Sequence, residues 1–171
     1  MAKNIIKVNN NKLQDAINNS KDTINKIVDF FGINKVNINI RVLNYADFKH
    51  EFKKYLGYDI NKDTTGFIED DKNEVIILDY DDFKYTNHCN ETYKEYVKVA
   101  IHEFVHVIHS IACHQNYPET KLWEGIAVFL SEQYDFNNNN GSGSYYEYGL
   151  YIYNFLKTHS KEELLFLLNV E

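Results

Sequence analysis

The sequence predicts an α+β fold, with a small mixed sheet in the first half of the chain and a helical second half. Three observations carry this. Period-two alternation at 36–41 and two short apolar runs within 64–78 supply strands, and no comparable runs follow them. The stretch from Glu91 to Gln115 contains neither Gly nor Pro and reads as one long helix. The remaining apolar residues beyond it recur at helical intervals.

Taken in order, the chain has a polar start. From Lys12 to Phe31, Leu13, Ile17, Ile24, Ile27, Val28 and Phe31 recur at helical spacing, and Gly32 offers a C-cap. This predicts one amphipathic helix. Val36, Ile38 and Ile40 alternate with Asn37, Asn39 and Arg41, a strand with one buried face. Tyr45 to Leu56 reads as a short helix stopped by Gly57. Thr64-Thr65-Gly66-Phe67-Ile68 and Glu74 to Leu78 flank the polar run Glu69 to Asn73, which predicts a hairpin with a charged loop.

The Glu91–Gln115 helix is apolar on most sides in its second half and is therefore expected to be buried there. A second helix is expected from Glu119 to Phe136, opened by Pro118. The low-complexity run at 137–144, four asparagines and then Gly-Ser-Gly-Ser, reads as a flexible connector. Tyr145 to Leu168 supplies two last helices parted near His159-Ser160, with Ser160 and Glu163 spaced as a capping box.

Length and composition bound the answer. At 171 residues with 15% aromatic content, the chain suffices for one ordered domain over 1–171, a helix/strand half at 1–90 and a helical half at 91–171. The net charge of −7, with no basic stripe, argues against a nucleic-acid partner. No apolar run approaches the roughly 18 residues that span a bilayer, and the N-terminus has no secretory signature. The expectation is a cytoplasmic protein without a membrane partner. Cys89 and Cys113 carry no metal-cluster spacing and set no disulfide, and oligomeric state is left open.

The chemistry is concentrated in His102-Glu103-Phe104-Val105-His106. On a helix, residues four apart lie one above the other, so both imidazoles can face a single tetrahedral ion with Glu103 beside it. Two histidines and a glutamate in so apolar a stretch are costly to desolvate without partners, and one cation satisfies all three. Glu124, in Trp123-Glu124-Gly125, falls among apolar residues of the next helix and is the candidate third ligand. Gly125 would let the two helices approach closely enough for that arm to reach the ion. Such a Zn2+ site keeps a position open for water and lowers its pKa toward about 7, leaving Glu103 to take the proton.

His102-Glu103-x-x-His106, seventeen intervening residues and Trp-Glu-Gly-Ile-Ala together resemble the gluzincin metallopeptidases. The wording is nearest to the aminopeptidase N type and to small bacterial peptidase MA-like domains. The resemblance covers about Gly66 to Leu168. It implies a zincin-like minimal metallopeptidase domain, with His102, His106 and Glu124 binding zinc and Glu103 as general base. It also implies an edge strand over the active-site helix that takes an extended substrate as an extra strand, a task that would fall to Val75–Leu78.

In the same family a tyrosine three residues before a glycine stabilises the oxyanion. Tyr146-Glu147-Tyr148-Gly149 gives that role to Tyr146, with Tyr145, Tyr148 and Tyr151 as alternatives. The chain departs from the family in two places. The Gly-x-Met-Glu-Asn segment that grips a free amine is absent, and the position four after Glu124, an aspartate in thermolysin-like members, is Val128. Another group must therefore accept the second ring N–H of the metal histidines, with Asp79, Asp81, Asp82 and Glu95 as candidates. His109 lies two turns from His102, roughly 10 Å along the axis, too far to share one ion, and is read as packing or support.

The functional expectation is a zinc-dependent peptidase acting on a peptide or protein substrate. The alternative is a zincin-like peptide-binding or regulatory module that keeps the metal without catalysis.

Overall fold

Val75, Ile76, Ile77 and Leu78 are all fully buried, the pattern of a strand covered on both faces. The computed structural model, which describes residues 4–138 and 141–170, gives that arrangement. Strands β1 (Ile5–Val8), β2 (Asn37–Leu43), β3 (Gly66–Glu69) and β4 (Glu74–Leu78) form one mixed sheet in the order β1-β2-β4-β3. β1 and β4 both run parallel to β2, while β3 closes an antiparallel hairpin on β4, pairing Gly66 with Ile77 and Glu69 with Glu74. The hairpin turn is a 3-10 turn over Asp70–Lys72, followed by Asn73 in the left-handed region at φ 51°.

The helices are α1 (Asn11–Asn19), α2 (Lys21–Phe30), α3 (Tyr45–Leu56), α4 (Tyr93–Ala112), α5 (Thr120–Leu130), α6 (Ser144–Phe155) and α7 (Lys161–Leu167). α3 spans the expected residues and ends at Gly57, whose φ of 82° suits a residue without a Cβ. Ser160 and Glu163 make the expected capping box at α7. A second box, from Thr92 and Glu95, opens α4. α3 and α4 both pack against β4. One apolar core runs from Leu13 through the sheet to Leu168, so both halves of the chain share it. No helix among the described residues is long and apolar enough to cross a membrane.

Four expectations about the elements are corrected. The helix expected from Glu119 to Phe136 stops at Leu130, because Glu132 turns into the left-handed region at φ 56°. The helix read from Lys12 to Phe31 is two helices, because the Ser20 hydroxyl donates to Ala16 O at 2.9 Å and closes α1 there. Ser20 O then accepts from Ile24 N at 3.0 Å and starts α2. The polar start contains β1, whose side chains alternate only between exposed and half-buried and so lack the contrast that marks a strand. Lastly, Val75–Leu78 is not the edge: β4 is paired on both sides, and the strand that is both at the edge and against α4 is β3. Residues 1–3 of the N-terminus, and 139–140 of the connector read at 137–144, lie outside the described residues.

Candidate metal centre

α4 places its motif by burial. Ala100, Ile101, Phe104, Val105, Val107 and Ile108 are buried around it, which leaves one face, carrying His102 and His106, turned toward α5. The two Nε2 atoms are 3.0 Å apart. Glu124, from α5, brings one carboxylate oxygen to 3.2 Å from His102 Nε2 and 3.3 Å from His106 Nε2. These three side chains are grouped so that they could hold a metal ion, with ligand atoms all within 4.8 Å of one another.

The donor set fits a tetrahedral ion. Bonds of about 2.0–2.1 Å at tetrahedral angles put neighbouring ligand atoms about 3.3 Å apart, close to the separations found here. Burial alone would raise the Glu124 pKa, yet hydrogen bonds from His102 and His106 outweigh it and hold the carboxyl well below the usual range. Burial likewise works against a charged His102, and the bond to Glu124 with the negative Glu103 nearby overcomes it and raises the imidazole. The centre therefore favours net positive charge between the carboxylate and the rings, whether protons or a cation supply it.

Glu103 lies beside this group in a cleft of about 790 Å³. Burial raises its pKa, against the lowering influence of the two imidazoles. The cleft floor is β3, whose Gly66, Phe67 and Ile68 line it. Among the described residues its carboxylates are Asp63, Glu91, Glu103 and Glu124, and no Lys or Arg lines it, so its field attracts cations.

The four residues His102, Glu103, His106 and Glu124 thus come together as the motif spacing anticipates. Gly125 does not act as expected. A Cβ there would fall 2.6 Å from Tyr148 O, so the close approach it permits is between α5 and α6, not between α5 and α4.

Tyr146 is buried in a small apolar cluster with Val128 and Phe136. Its neighbour Tyr145 lines the cleft, with its ring centroid 6.1 Å from that of His102. Burial, with Glu124 and Glu103 adding negative charge, pushes the Tyr145 phenol up to about 12, so it remains a proton donor at neutral pH.

The carboxylates expected to support the histidines have other tasks. Asp79 accepts from Asp81 N at 2.9 Å, Asp82 accepts from Tyr45 N at 2.7 Å, and Glu95 sits in the capping box of α4. Asp81 is exposed. Instead His102 Nδ1 meets the Gln133 side-chain oxygen at 3.0 Å. The His106 ring lies flat on Trp123, with centroids 4.5 Å apart and planes 13° from parallel. His109 stacks on the same indole at 4.8 Å and donates from Nε2 to Leu168 O at 2.9 Å, a packing role. Trp123 stands next to Glu124 in the sequence, which was a usable signal. Gln133 carried none, since its contact with His102 spans 31 positions.

No protein-family model, curated protein or solved structure matches the chain.

Proposed function

We propose that the chain is a zinc-dependent peptidase of gluzincin type on a zincin-like fold. The observation that carries this reading is the convergence of His102 Nε2, His106 Nε2 and a Glu124 oxygen at 3.0–3.3 Å, beside a cleft that also holds Glu103. A zinc ion held by these three residues would polarise a substrate carbonyl and make a water acidic enough to deprotonate near neutral pH.

The chain's own residues supply the rest. Glu103 takes the proton of the attacking water and returns it to the leaving amine, and its raised pKa suits a group that must do both. Tyr145, protonated at neutral pH and lining the cleft, donates a hydrogen bond to the developing oxyanion, the part the resemblance gives to Tyr146. The free edge of β3 lines the same cleft and offers backbone groups to an extended peptide, which gives affinity with little dependence on side chains.

A second reading keeps the metal and drops hydrolysis, leaving a peptide-binding module. The burial of Tyr146 in an apolar cluster is the observation on its side. An unbiased peptide library separates the two. Zinc-loaded wild type is expected to cleave it, and Glu103→Gln is expected to keep the metal and lose cleavage by about 10²–10⁴-fold. Peptide capture without cleavage by wild type would favour the binding module.

A further inference from the structure

We propose that Gln133 is the positioning residue that fixes the tautomer of His102. Its side-chain oxygen, 3.0 Å from Nδ1, accepts the ring N–H, so that in the neutral imidazole the lone pair falls to Nε2, the nitrogen facing Glu124 and His106. A neutral imidazole has one N–H, and the partner of one nitrogen decides the state of the other. Were Nε2 to carry the proton, it could not ligate an ion. The inference rests on the metal-site reading given above.

The fold builds this contact. α5 ends at Leu130, and Glu132 then takes the left-handed conformation at φ 56°, a strained choice for a residue with a Cβ. Glu132 N donates to Phe129 O at 3.3 Å and Gln133 N to Val128 O at 3.4 Å, so the turn folds back on the last turn of α5. From the other side the Lys98 ammonium, one helical turn before His102 on α4, donates to Glu132 O. The turn that carries Gln133 is thus tied both to the helix of Glu124 and to the helix of His102.

The two imidazoles are supported unequally. His106 Nδ1 is buried and has no hydrogen-bond partner among the described residues, and its ring is held by stacking on Trp123. Of the two, His102 alone has an acceptor at Nδ1 among the described residues, so selection of the ligating tautomer falls to Gln133. That acceptor is a neutral amide, which leaves the imidazole a weaker donor than a carboxylate would. A carboxylate in its place should therefore tighten the site.

The test is cobalt(II) and zinc affinity of the purified full chain by chelator competition, with the cobalt absorption spectrum as second readout. Gln133→Leu, which removes the acceptor, is expected to lose about 10–100-fold in affinity and to shift the cobalt band. Gln133→Glu is expected to bind at least as tightly as wild type. The metal-free melting midpoint of both variants is expected to stay near that of wild type. Unchanged affinity and spectrum in Gln133→Leu would overturn the proposal, as would equal losses in both variants, since packing would then explain them. A wild-type chain that binds neither metal would instead overturn the metal-site reading and the inference with it.

Discussion

Gly66 of β3 lies against the side chain of Glu103: a Cβ at position 66 would sit 2.7 Å from Glu103 Cγ and 2.9 Å from its Oε1. The strand edge that lines the cleft therefore also sets where the proposed base can stand. Gly66→Ala must push the carboxylate aside while leaving His102, His106 and Glu124 untouched. Expected is a fall in peptide cleavage of about 10²-fold or more at unchanged zinc content, measured on the same preparation. Loss of both together would mean that the strand, not the base, had moved.

The two adjacent tyrosines differ in surroundings, and their phenylalanine variants should differ likewise. Tyr145→Phe removes a phenol from the cleft and is expected to lower kcat by roughly 10–10³-fold with little change in KM. Tyr146→Phe alters a buried cluster around Val128 and Phe136 and is expected to act on stability while turnover holds. Steady-state kinetics and denaturant melts on both variants check the pair. The reverse pattern would return the oxyanion role to Tyr146.

His109 makes stability depend on pH. Burial lowers its pKa to about 4, with the bond to Leu168 O opposing and the charge of His106 adding. In the unfolded chain its pKa returns to about 6.5. Between these values the unfolded state binds more protons, so stability is fully present above about 6.5 and is lost as pH falls toward about 4. His109→Gln keeps a donor for Leu168 O and cannot titrate. Its urea-unfolding free energy is expected to fall less steeply than that of wild type between pH 6.5 and 4, and parallel curves would contradict this.

What the sequence reveals, and what it hides, follows from the range of the interactions. Four-residue spacing on one helix is local, so His102 and His106 were readable as a pair, as was the boundary of α3 at Gly57. Glu124 was readable because an acid among apolar helix residues needs a partner. The break at Ser20 was hidden, because a serine in an apolar repeat looks like one more polar position until its hydroxyl is seen on Ala16 O. β1 was hidden because its pairing with β2 comes from residues 32 positions away in the chain, Ile5 against Asn37. Which strand formed the cleft edge was equally non-local: Val75–Leu78 is the more apolar strand because it is interior, and β3 takes the edge. Gln133 reaches His102 only through the left-handed turn at Glu132, which no side-chain pattern announces.

Diffraction from crystals of the zinc-loaded protein, collected on both sides of the zinc absorption edge, tests the central claim most directly. Expected is one strong anomalous peak about 2.0–2.2 Å from His102 Nε2, His106 Nε2 and a Glu124 oxygen, with one coordination position facing the cleft. A peak bound elsewhere on the chain, or density showing these three side chains with no metal between them, would contradict it.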